Sequence, residues 1–160
     1  MAFCLSEERP KDVVAAYRRY REYLEQYKKV FPPSAFELAT SDWYFNPENH
    51  RSPHDAWLES LVISEPAHGD RNEIRETSIR IRLLGAYHDL KLEFFYPKVF
   101  SHSLISNECI RGLGDWRYDE FTLNEKGHVV HEIEWAGFRR EPGSRWLICA
   151  SDVQFNWSSL

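Results

Sequence analysis

The sequence has 160 residues, of which 42% are hydrophobic and 15% aromatic, and a formal net charge of -5 at pH 7. That length suits one domain, 1–160, able to bury its own core, and that aromatic content excludes a disordered tail. The acidic balance argues against a broad phosphate-binding surface, so no nucleic-acid partner is expected.

Val13, Tyr17, Tyr20, Leu24, Tyr27 and Phe31 recur at spacings of three and four, which predicts an amphipathic helix over 10–30. Pro10 suits its first turn, and Pro32-Pro33 stops it. Ser34 and Glu37 have capping-box spacing and predict a short second helical piece over 34–39. The stretch 40–53 reads as an ordered loop, because Trp43, Tyr44 and Phe45 carry too much apolar area to hang free.

From His54 the period drops to two. Trp57, Glu59, Leu61 and Ile63 alternate with Leu58, Ser60, Val62 and Ser64, so both faces of this strand carry apolar residues. A polar turn with Gly69-Asp70 precedes a clearer strand over 77–84, and Gly85 ends it. Strands follow over 90–96, 99–105, 116–123 and 129–135. Asn124 to Gly127 joins the last two as a hairpin loop whose glycine accepts positive φ.

Trp146 and Ile148 share one parity, Val153, Phe155 and Trp157 the other, so a bulge or bend is expected across Ala150, Ser151 and Asp152. The order gives an α+β fold in which one N-terminal helix packs on a curved, mostly antiparallel meander sheet of about seven strands. Arg75, Arg80, Arg82 and Lys91 lie close to Glu73, Glu76 and Glu93, which reads as a solvated face of mixed sign.

Chemistry has few footholds. Cys4, Cys109 and Cys149 form no CxxC, so neither a disulfide framework nor a thiolate metal site is indicated, and a reducing, cytoplasmic setting is expected. No apolar run reaches membrane-spanning length, and no membrane association is expected. His54-Asp55 and His88-Asp89 each precede a strand, where neighbouring side chains diverge; turn hydrogen bonding is the ordinary reading, and a site assembled from both pairs is the catalytic one.

His128 and His131 fall on opposite faces, so they do not form a two-histidine ligand on a regular strand. Glu132 and Glu134 share a face, with Asp119 expected to approach from the adjacent hairpin strand; such carboxylates divide acid and base roles only if their surroundings differ. Cys149, among Leu147, Ile148 and Ala150, reads as a small buried thiol. Trp116, Tyr118, Asp119, Glu132, Glu134 and Trp135 are the candidates for a protein-binding surface or an aromatic-lined pocket. No cofactor motif is present.

His54-Asp55-Ala56-Trp57-Leu58-Glu59-Ser60, Leu84-Gly85-Ala86-Tyr87-His88-Asp89, Trp116-Arg117-Tyr118-Asp119-Glu120-Phe121 and His131-Glu132-Ile133-Glu134-Trp135 together resemble small bacterial proteins of uncharacterised function. Some proteins of that kind are proposed immunity proteins of polymorphic or contact-dependent toxin systems. The resemblance implies a compact cytoplasmic protein that masks a cognate toxin by one-to-one contact, without catalysis. A small-ligand binder built on a curved sheet, and a hydrolase or lyase using His88, Asp89 and nearby histidines or carboxylates, are the alternatives.

Overall fold

A computed structural model describes residues 2–6, 9–107, 112–137 and 143–160. Cys109 lies outside the described residues. Among the described residues the chain forms two helices, α1 (Val13–Tyr27) and α2 (Pro33–Thr40), followed by eight strands. These are β1 (Trp57–Ser64), β2 (Ser78–Leu84), β3 (Leu90–Tyr96), β4 (Val99–Ile105), β5 (Trp116–Leu123), β6 (Val129–Trp135), β7 (Arg145–Ala150) and β8 (Gln154–Ser159).

Every strand pairing is antiparallel, as the short connections imply, but the expectation of one helix on one meander of seven strands is corrected. The described residues form two four-stranded sheets, ordered β1-β2-β3-β8 and β4-β7-β6-β5. The bend expected near Ser151 is the reason. β3 continues into β4 through Lys98 at φ 48, β7 continues into β8 through Ser151, and Ser151 N–H donates to Lys98 O across the turn. One two-stranded ribbon thus belongs to both sheets and folds their apolar faces together.

Alternation then fills the interior from both sides. Ile79, Ile81, Leu83, Leu92, Phe94 and Tyr96 come from the first sheet, and Trp116, Phe121, His131, Ile133, Trp135, Trp146 and Ile148 from the second. Phe94 stacks on Trp116 with centroids 5.1 Å apart, so contact crosses the sandwich directly. On the opposite face of the first sheet, Glu93 accepts from Arg80 and Arg82 while Lys91 pairs with Glu59. That is the mixed-sign face the charge pattern predicts.

The helices close the edge of the second sheet. β5 is an edge strand whose backbone would otherwise be open to pairing. Tyr20 answers this with one hydroxyl, accepting from Phe121 N–H at 2.7 Å and donating to Phe121 O at 2.9 Å; Tyr23 accepts from Leu123 N–H at 2.8 Å. The tyrosine stripe therefore supplies polar tips as well as apolar area, although Val13 at its start stays exposed. Asp12, not Pro10, begins α1, its carboxylate accepting from Ala15 N–H.

At α2 the expected Ser34–Glu37 capping box does not form. Asp152, from the sheet-switching bend, accepts from Ser34 and Ala35 N–H instead, which places an anion at the helix N-terminus. The loop that follows is ordered as expected, with Tyr44 buried.

One glycine is demanded twice over. Gly114 sits at φ +79, and a Cβ there would meet Gly137 N at 2.8 Å. Gly114→Ala is expected to lose about 1–3 kcal/mol from backbone strain alone, read as a lowered urea midpoint at unchanged m-value.

Candidate functional site

His131 and Asp119 do meet, but in the core and not in a cleft. A bulge between Trp116 and Tyr118 shifts β5 by one residue, so that Trp116 and Asp119 both face inward while Tyr118 and Glu120 face out. Asp119 Oδ2 accepts from His131 Nε2 at 2.7 Å and from Tyr44 OH at 2.6 Å, and Oδ1 accepts from Trp116 Nε1 at 3.0 Å. Tyr96 OH lies 2.7 Å from His131 Nδ1.

A carboxylate only accepts, so Nε2 must carry a proton. With the Tyr96 hydroxyl donating, Nδ1 accepts, and every polar tip of this network has a partner. Desolvation holds the Tyr44 and Tyr96 phenols well above their ordinary range, which keeps both as donors. With His131 0% and Asp119 4% exposed, no substrate can touch this network; its role is to fasten the loop to both sheets. The expected approach of Asp119 to Glu132 and Glu134 is corrected, because the bulge puts it on the other face.

Glu132 and Glu134 do share the outer face. Arg145 bridges them at 3.0 and 2.8 Å, while Arg9 lies 3.5 Å from Glu134 and 3.8 Å over the Tyr118 ring. Both carboxylates meet the same guanidinium, whereas division into acid and base needs unlike surroundings. Trp116, Trp135 and Trp146 pack ring against ring at 5.4 and 5.1 Å, as filled core. Cys149 is a buried free thiol as expected, and burial pushes the buried Cys4 thiol up to about 12.

The His-Asp pairs build turns at one end of the sandwich. Asp55, at φ 63, donates its N–H to Trp116 O at 2.8 Å, and His54 Nδ1 lies 3.2 Å from the Asp55 carboxylate. His88, at φ 58, donates its N–H to Gly85 O at 2.9 Å, and Asp89 takes His50 Nδ1 at 2.5 Å. An Asp-oriented imidazole is the start of a general base, but this pair is about half exposed, 51% and 47%, where water competes for every proton. Among the described residues no group of three or more His, Cys, Asp or Glu is placed to hold a metal ion.

What these turns do present is a pair of fixed aromatic rings. Trp57 is 51% exposed, yet its Nε1 donates to Asp115 Oδ1 at 2.7 Å and its ring meets the His88 edge at 4.8 Å. Tyr87, 49% exposed, stacks on His50 at 4.0 Å and donates its hydroxyl to Pro47 O at 3.2 Å. Asp55, Asp89 and Asp115 stand among them. Comparison with protein-family models, curated proteins and solved structures finds no match for this chain. No helix is long and apolar enough to cross a membrane among the described residues.

Asp115 and His50 were not among the expected site residues, while Trp57 entered only as a residue of an alternating strand and Tyr87 only as a neighbour of His88. The available signal was the two-sided apolar pattern of 57–63, which belongs to an edge strand with one face left open.

Proposed function

We propose that this chain is a non-enzymatic binding protein that masks a cationic protein partner, in the manner of an immunity protein, through the end that carries Trp57 and Tyr87. The observation that supports this reading is the fixing of two half-exposed aromatic rings by hydrogen bonds and stacking in an acidic setting. Large rings already held in place lose little rotamer freedom on binding, which is how aromatic anchors come to dominate interfaces. The acids around them and the net charge of -5 favour encounter with a basic surface.

The reactive pair that convergence brings together, His131 and Asp119, is sealed in the core, which weighs against the hydrolase reading. Affinity isolation from the native cell, followed by calorimetric titration of the purified partner, tests the proposal. Trp57→Ala and Tyr87→Ala should each weaken binding by about 2 kcal/mol without lowering the melting temperature, and added salt should slow association. Recovery of no protein partner, or equal affinity for the double variant, overturns it.

A further inference from the structure

A cleft of about 420 Å³ runs between α2 and β8. Its walls bring together Glu37 and Ser41 of α2, Trp43 and Arg51 of the following loop, and Phe155 and Trp157 of β8. The Arg51 guanidinium lies 4.8 Å from the Trp43 ring centroid and 5.8 Å from that of Trp157. Among the described residues it makes no hydrogen bond or ion pair, and Glu37 makes none with it. Its five donors thus stand beside two indole rings without a protein acceptor among the described residues.

The second feature is the strand beside them. β8 is the edge of its sheet, and register decides which of its backbone groups leave the ladder. Leu160 N–H donates to Asp89 O, so the 89/160 pair is of the hydrogen-bonded type, and alternation gives the same type to 91/158, 93/156 and 95/154. The N–H and C=O groups of Phe155, Trp157 and Ser159 therefore point out of the sheet, on the free edge.

We infer that this cleft takes an extended peptide segment of a protein partner, which adds as a strand to β8 and sets a carboxylate, from Asp, Glu or a chain terminus, on Arg51. The inference deepens the protein-binding reading and rests on it. A free edge supplies main-chain hydrogen bonds, flanking rings supply side-chain contact, and the guanidinium supplies a fork matched to a carboxylate. A small inorganic anion would use Arg51 and leave the edge untouched.

The test is selection of a random peptide display library on the immobilised full chain. Expected is enrichment of extended peptides with an acidic residue or a free carboxyl terminus, and backbone amide shifts at Phe155, Trp157 and Ser159 in nitrogen-edited NMR spectra. Arg51→Gln, or amidation of the peptide carboxylate, should weaken a selected peptide roughly tenfold or more. Glu37→Gln should tighten it.

Ser159→Pro gives an independent check. Its N–H leaves the ladder, so proline keeps the pairing with β3 and the fold while blocking the edge. No enrichment over an Arg51→Gln column, selected peptides that bind Arg51→Gln and Ser159→Pro as well as the parent, or displacement by acetate alone at equal affinity would each overturn the inference. An isolated partner that still depends on Trp57 and Tyr87 would then leave the broader proposal standing.

Discussion

Asp119→Ala is expected to destabilise the fold by about 3–5 kcal/mol, the loss typical of removing one member of a buried hydrogen-bonded charge network. Three donors converge on this carboxylate: the Tyr44 hydroxyl, the Trp116 indole and His131 Nε2. Alanine leaves all three buried without an acceptor, and each carries a desolvation penalty of its own. Tyr44→Phe removes one donor and leaves the carboxylate two others, so its effect should be smaller, about 1–2 kcal/mol. Urea unfolding of the two variants and their double mutant measures the difference. Equal losses from both single substitutions would contradict the central place given to Asp119.

Glu120→Ala should cost about 2–3 kcal/mol and release the segment 2–6 from the sheet. Glu120 is buried on the outer face of β5, and its carboxylate accepts from the N–H groups of Phe3, Cys4 and Leu5. Desolvation raises its pKa above the ordinary carboxylate value, against the opposing pull of those three N–H groups. The folded state therefore holds this proton more strongly than the unfolded state does.

The stability so contributed is complete below the unfolded pKa of about 4.5 and is lost as pH rises through the elevated folded value. Other carboxylates titrate in the same range, so the useful quantity is the stability of the wild type minus that of Glu120→Gln. It should fall as pH rises just above 4.5. A difference that rises instead would mean that the N–H groups outweigh desolvation. Faster hydrogen exchange at Phe3, Cys4 and Leu5 in Glu120→Ala would report release of the segment directly.

Much of the fold was legible because alternation is a local signal. Ile79, Ile81 and Leu83 against Ser78, Arg80 and Arg82 mark β2 and its buried face without help from any other part of the chain. Asn124 and Gly127 likewise announce the β5–β6 turn, where Gly127 takes φ 76 and Asn124 Oδ1 accepts from Lys126 and His128 N–H.

The division into two sheets was not legible, because it depends on where β3 and β7 bend and on which distant strands they then meet. The bend at Ser151 left a trace in the change of parity, but nothing in that trace says that β8 pairs with β3. The same limit governed the site. A single bulge in β5 turned Asp119 from a surface acid into the hub of the core, and bulges leave no fixed mark in residue type. Asp152 capping α2, and Asp115 holding the Trp57 indole, are bonds between residues far apart in sequence, which no spacing rule reaches.

The shared ribbon also governs when this protein can fold during its synthesis. β1, β2 and β3 can form a hairpin series as they emerge, yet their apolar face lacks its full partner sheet until β5, β6 and β7 arrive, and β3 keeps an open edge until β8 does. Local contacts cannot stabilise these strands alone, so the nascent chain carries exposed Ile, Leu and Phe through much of the second half of its translation. A chaperone that holds such segments should raise the soluble yield most when elongation is slow, and a ribosome stalled before β8 should display a protease-sensitive chain.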